Sequence, residues 1–186
     1  MLSHLWLEAG KTALARVLLG LWPAKGGLSV PESLSVVPQQ PYLAPGNLGD
    51  QVTYPQRFQL SDSERAASAL ESVGLLYLLQ RGDWLFQCDW ADCLSGGEQQ
   101  RLALSRVLFH RPSFAILDEC TSMVAAEAEE QLYGKVVSTA ITPITMSQRL
   151  FLPELHSKEL RLGVANGSKW SLAGAPRAPF HCPKSG

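Results

Sequence analysis

A short apolar run, Phe114-Ala-Ile-Leu117, ends in two acids, Asp118 and Glu119, and a glycine-rich stretch, Leu94-Ser-Gly-Gly-Glu-Gln-Gln-Arg101, precedes it. The run predicts a strand that delivers both carboxylates at its end. Oxygen ligands suit Mg²⁺, so Asp118 is a candidate metal ligand, and the Glu119 carboxylate can orient a water as nucleophile. The glycine-rich stretch predicts a helix start. Backbone N–H groups there, at Gly96 and Gly97, are unpaired donors that attract phosphate, and the missing side chains let it come close. Ser95 and Glu98 also have the spacing of an ordinary helix capping box.

Upstream, Gly10-Lys11-Thr12 fits the second half of a GxxxxGK[ST] phosphate loop, in which glycines let amides wrap the phosphates, lysine neutralises them and the hydroxyl holds Mg²⁺. The first half does not fit. Leu5 stands where the first glycine belongs, and its side chain disfavours a positive φ. Glu8 would set a carboxylate beside phosphate, a repulsion that grows with desolvation. Both changes weaken nucleotide binding.

The elements that must carry these groups follow from periodicity. The first ten residues read as irregular. Lys11 to Leu21 reads as a helix with Leu14, Val17, Leu18 and Leu21 on one face, and Leu34 to Val37 as a strand stopped by Pro38. Asn47 to Val52 predicts one or two helical turns. Ser61 and Glu64 predict a capping box for a helix whose buried stripe is Ala66, Ala69, Leu70 and Val73 and which Gly74 ends, with a short helical piece at Leu75 to Leu79. Helices at Gly97 to His110 and about Ala125 to Tyr133 flank the Phe114 strand, and a strand at Ile141 to Thr145 follows. Strand, helix, strand implies parallel pairing. Ser157 to Leu162 and Lys169 to Leu172 predict a closing hairpin around Asn166-Gly167.

The chain has 186 residues, 16 Lys and Arg against 17 Asp and Glu, and a net charge of −1. That length buries a real core, and the charge balance gives no field that would draw nucleic acid. Four cysteines, Cys88, Cys93, Cys120 and Cys182, include no CxxC pair and predict small buried apolar residues in a reducing, cytosolic-facing compartment. No apolar stretch approaches the ~20 residues of a membrane span. The stretch from Ala173 is rich in proline, glycine and small residues, so 173–186 is expected to be a disordered tail.

The two leading motifs, LSGGEQQR and FAILDE, resemble the signature and Walker B motifs of the ATP-binding cassette (ABC) ATPases. Val37-Pro-Gln-Gln-Pro-Tyr42 resembles their Q-loop, with Gln39 in the metal-sensing place. Gly46-Asn-Leu-Gly-Asp-Gln-Val-Thr-Tyr-Pro55, Asp118-Glu-Cys-Thr-Ser122, Leu21-Trp22 and Asp89-Trp90 are similar to the forms found in one branch, subfamily D. The resemblance covers roughly residues 10–172 and implies an α/β fold of the P-loop NTPase class. Its core would be an ABC-type ATPase with a mostly parallel sheet, a helical insertion carrying the signature motif, and the first strands missing. Residues 1–172 would form a partial nucleotide-binding domain with a helical subdomain at about 47–110.

The resemblance further implies ATP and Mg²⁺ as cofactors. Gly10, Lys11, Thr12, Gln39, Ser95, Gly96, Gly97 and Glu98 would contact nucleotide; Thr12, Gln39 and Asp118 would hold the metal; Glu119 and Gln148 would take the catalytic places. The family's switch histidine is replaced here, since Gln148-Arg149 stands at its position, and glutamine can neither carry a positive charge nor shuttle a proton. His156, the next histidine, is expected to be structural. The D-loop, Ser122-Met-Val-Ala125, lacks the acid many members carry.

Partners implied are a second cassette, whose bound ATP Ser95 and Gly97 would touch, and a transmembrane domain that this chain does not contain; nucleic acid is not implied. The expected activity is ATP hydrolysis driving transport, of fatty acyl-CoA or a related lipid by analogy with subfamily D, at the cytosolic face of a peroxisomal or other organellar membrane. The eroded phosphate loop keeps open an impaired or truncated cassette that only supplies its LSGGE motif to a partner. A soluble SMC-like ATPase is a further reading, set against the lack of sustained heptads or a basic stripe.

Overall fold

A computed structural model describes residues 3–6, 11–23, 25–147, 152–162 and 170–174. The described strands are β1 (Ser3–Trp6), β2 (Leu34–Val37), β3 (Phe114–Asp118), β4 (Thr142–Met146), β5 (Lys158–Leu162) and β6 (Trp170–Gly174). The helices are α1 (Lys11–Leu18), α2 (Leu48–Thr53), α3 (Ser63–Ser72), α4 (Leu78–Arg81), α5 (Trp90–Cys93), α6 (Gly96–His110) and α7 (Ala126–Ser138). One sheet runs β2-β3-β4-β1-β5-β6, parallel except for the final β5/β6 pair.

The expectation of irregular first residues is corrected. Ser3–Trp6 is a strand in the sheet interior, with Leu5 facing Met146 on one side and Leu160 on the other. Four residues of the type Ser-His-Leu-Trp show no alternation from which a strand could be read. Pairing with β4 and β5 on both sides makes them one.

Strand β3 is buried on both faces, with Ala115, Ile116 and Leu117 all at 0% exposure, as parallel strands between helical layers must be. Its alternate side chains enter different cores. Ile116 packs with Ala15 and Met146 beneath α1. Ala115 and Leu117 join one apolar cluster with Ala66, Leu70, Leu102, Val107, Leu132 and Val136, which continues from the sheet face into α3, α6 and α7. The stripe foreseen for α3 is buried as expected, and Gly74 follows it at φ +67°, where a side chain would be strained.

Several boundaries differ from expectation, and α7 runs on to Ser138 rather than ending near Tyr133. Helix α1 ends at Leu18, and Gly20 at φ +71° turns the chain so that Leu21 is 68% exposed rather than packed. The Ser61/Glu64 box does not form. The chain first makes a 3-10 turn, Leu60–Asp62, where Asp62 accepts from the Gln59 N–H at 3.2 Å, and α3 starts at Ser63. The helical piece forms at Leu78–Arg81, later than foreseen. The Asn166-Gly167 turn and residues 175–186 of the expected tail lie outside the described residues, while Ala173 and Gly174 belong to β6.

His156 is buried, with its ring nitrogens at 2.6 Å from the Leu152 carbonyl and 2.9 Å from the Thr145 hydroxyl. Burial lowers its pKa below the ordinary value, so the neutral ring is the folded form. Its contribution to stability is complete above the unfolded value of about 6.5 and is lost as pH falls through the lower folded value. Thermal midpoints measured across mildly acidic pH should fall more steeply for the native chain than for His156→Gln. Equal slopes would assign that loss elsewhere.

Candidate functional site

Three segments distant in sequence meet at the ends of β3 and β2. Strand β3 delivers Asp118 and Glu119, β2 leads into Gln39, and α1 begins at Lys11 directly beneath them. The Lys11 ammonium, nearly fully buried, lies 3.1 Å from Glu119 Oε1, and the Gln39 side-chain amide donates to Glu119 Oε2 at 3.3 Å. Glu119 sits at φ +44°, a left-handed conformation that is uncommon for a residue with a side chain, and its N–H is held by the Met146 carbonyl at 2.9 Å. That turn directs its carboxylate back toward Lys11.

Asp118 neighbours the Thr12 hydroxyl, which favours its charged form. Burial pushes its pKa above the ordinary value and the Glu119 charge adds to this, while Lys11, Thr12 and Arg16 pull it down. A carboxylate raised by desolvation and a like charge is short of positive compensation, which a divalent cation would provide. The donor set of Thr12 hydroxyl, Asp118 carboxylate and Gln39 amide oxygen is all oxygen, as Mg²⁺ requires. Mg²⁺ binds through one or two carboxylates and substrate phosphates, so a richer acidic cluster is not needed. Among the described residues no group of three His, Cys, Asp or Glu gathers as a metal cage.

The expected P-loop residues are divided. Lys11 and Thr12 stand at the start of α1, while Glu8 and Gly10 lie outside the described residues. Leu5 is an extended strand residue rather than part of a loop, so the anticipated strain of a positive φ does not arise there. Gln148 and Arg149 also lie outside the described residues.

Ser95 caps α6 as a full box with Glu98: the Glu98 carboxylate accepts from the Ser95 N–H at 2.8 Å and from its hydroxyl at 2.6 Å. Tyr77 donates to the other Glu98 oxygen. These bonds, first from Ser95 and then from Tyr77, hold the Glu98 pKa down to about 2. Glu98 is thereby fixed as a capping residue of the motif. Ser95 is exposed, and no described hydrogen bond joins it to Lys11.

The start of α6 also rests on the D-loop. A Cβ on Gly97 would lie 2.7 Å from the Met123 carbonyl oxygen, a backbone atom that cannot swing away. Gly97→Ala should therefore destabilise the chain by about 1–3 kcal/mol, read by denaturant unfolding. Gly96 meets only the flexible Met123 thioether, so Gly96→Ala should cost less.

One residue had no signal in the sequence. Gln100, 1% exposed, donates to the Gln39 carbonyl at 3.1 Å and to Ser122 Oγ at 3.0 Å, and accepts from the Met123 N–H at 2.8 Å. Its amide joins signature helix, Q-loop and D-loop. Within Glu98-Gln99-Gln100-Arg101 it reads as an exposed polar side chain, and only the fold turns it inward.

The model for the ABC transporter family matches residues 9–122, spanning Lys11, Gln39, Ser95 to Glu98, Asp118 and Glu119. The chain belongs to the ABC transporter family. It is 43% identical over 164 residues to human ATP-binding cassette sub-family D member 3, covering 82% of this chain and 25% of that protein. It is 38% identical over 197 residues to ABC transporter D family member 1 of Arabidopsis thaliana, covering 88% and 15%. It is 37% identical over 177 residues to the human lysosomal cobalamin transporter ABCD4, covering 88% and 29%. The chain thus spans less than a third of the length of these curated relatives. A bacterial Atm1-family ABC exporter solved with ATP bound has the same fold at a TM-score of 0.73 and 22% identity, covering 87% of this chain and 31% of the exporter chain. The ABC-type α/β core foreseen from the motifs is confirmed. Among the described residues no helix is long and apolar enough to cross a membrane.

Proposed function

We propose that this chain is a nucleotide-binding module that takes MgATP at Lys11, Thr12, Gln39 and Asp118 and offers Ser95, Gly96 and Gly97 to nucleotide held by a second cassette. Hydrolysis, with Glu119 orienting water, drives transport by a membrane-spanning partner. The observation that carries this reading is the meeting of Lys11, Gln39 and Glu119 within 3.1 and 3.3 Å, beside Asp118. Three motifs from separate elements converge at one charged site.

When bound, Mg²⁺ neutralises phosphate charge and polarises a phosphoryl oxygen. Lys11 would exchange Glu119 for phosphate, which frees the Glu119 carboxylate to hold water. Gln39 bonds Glu119 through its side chain and Gln100 through its backbone, so it links the site to the signature helix and D-loop.

A second reading has its own observation. Lys11 is already neutralised by Glu119, and Leu5 extends β1 where a phosphate loop would open, which favours a cassette that lends only its signature to an intact partner. Mixing this chain with an intact subfamily D cassette should give MgATP-dependent dimers on size exclusion, and Ser95→Arg should abolish them under either reading. No dimers in the mixture would refute both.

Resemblance to subfamily D supports fatty acyl-CoA or a related lipid as cargo, at the cytosolic face of a peroxisomal or other organellar membrane. Cobalamin, in the name of one relative, is the competing cargo. Co-expression with a membrane-spanning half-transporter and uptake of labelled acyl-CoA or cobalamin into vesicles decides between them.

A further inference from the structure

The four cysteines do not all behave as small buried apolar residues. Cys120 does, at 1% exposure, but Cys93 is exposed and Cys88 is half-buried, and neither is in a disulfide. Helix α5 explains how they are placed. Asp89 is its N-cap, accepting from the Ala91 N–H at 3.0 Å, so Cys88 is the residue just before the cap and Cys93 the fourth residue of the helix. These are the two positions whose side chains pack together across a helix start, as in a hydrophobic staple. Cys88 and Cys93 thus flank the Asp89 cap on the same side of the helix start, the N′ and N4 positions that neighbour each other there.

The backbone on both sides is held in place. Gln87 forms a bridge with Asn47, the Trp90 indole donates to the Gly46 carbonyl at 2.8 Å, and the Cys93 N–H donates to the Asp89 carbonyl at 2.8 Å. Cys93 is followed by buried Leu94 and then by Ser95, the cap of the signature helix.

We propose that Cys88 and Cys93 form an oxidisable dithiol at the entry to the signature motif, with a small-molecule disulfide such as oxidised glutathione as its oxidant. The exposed Cys93 reacts first: its thiolate attacks one glutathione sulfur, the glutathione disulfide bond breaks, and one glutathione leaves and takes up a proton. Cys88 then loses its proton to solvent and attacks the Cys93 sulfur, expelling the second glutathione. Two protein thiols lose two electrons, and one oxidised glutathione becomes two reduced ones. Burial, with the neighbouring Cys93, pushes the Cys88 thiol up to about 12, which assigns it the second, resolving step. The closed ring ties α5 to its own cap and stiffens the approach to Ser95.

The test uses the full chain with oxidised glutathione near pH 8, close to the ordinary thiol pKa of about 8.5. Tryptic peptide 82–101 carries both cysteines and no internal cleavage site. It should become lighter by two hydrogens, return to its original mass with dithiothreitol, and stay unchanged in Cys93→Ser. Cys88→Ser should stop at a glutathione adduct on Cys93. A stable adduct on the native chain without ring closure, a bridge to Cys182, or no reaction would each overturn the proposal.

Discussion

Lys11→Ala weakens MgATP binding about 10- to 100-fold if this cassette takes nucleotide itself, because a charge-assisted hydrogen bond is worth about 1.5–3 kcal/mol. The Lys11 ammonium is nearly buried, and its described ion pair is to Glu119 at 3.1 Å. Phosphate oxygens must displace that carboxylate. Glu119→Gln removes the competitor and the like charge near the phosphates, so binding should be unchanged or tighter while turnover falls by about 10²–10⁴-fold, the usual share of a positioned base. Titration with a fluorescent ATP analogue reads the first effect and phosphate release the second. Unchanged affinity in Lys11→Ala would leave only the signature-lending reading.

Gln100→Leu should lower stability by about 2–4 kcal/mol and, at this chain size, the thermal midpoint by about 6–12 °C. The leucine fills the volume but leaves the Met123 N–H, the Gln39 carbonyl and Ser122 Oγ without the bonds Gln100 now makes. The bonds are part-buried, so each group left without its partner bears part of its desolvation penalty. Gln100→Glu separates packing from polarity, since it keeps an acceptor for Met123 but turns an oxygen toward the Gln39 carbonyl. Both variants should melt early in differential scanning fluorimetry. If Gln100→Glu melted like the native chain, the amide donor would carry no weight.

Much of this architecture was legible where local chemistry is decisive. Leu34 to Val37 is bounded by Pro38, Gly74 is one of few residue types that tolerate φ +67°, and Ser95 with Glu98 caps α6 as its spacing foretold. Local signals failed where distant partners decide. Ser3–Trp6 is a strand because β4 and β5 flank it, and Leu21 is exposed because Gly20 redirects the chain. The identities of Lys11, Gln39 and Glu119 were readable, but their mutual contact was not. Gln100 was invisible because its burial depends on three segments arriving together.

The position of β1 also bears on how the chain comes to fold. Ser3 pairs with Ile144 and with Lys158, so β1 meets its first described partner only when β4 has been synthesised and its second only with β5. At about 5–20 residues per second, ribosomal synthesis leaves it waiting on the order of ten seconds or more. The pairing of β1 on both sides is therefore completed only after translation of β5, by slow long-range contacts. During that wait both edges of β1 lack their described partners, and that strand is where chaperones would be needed most.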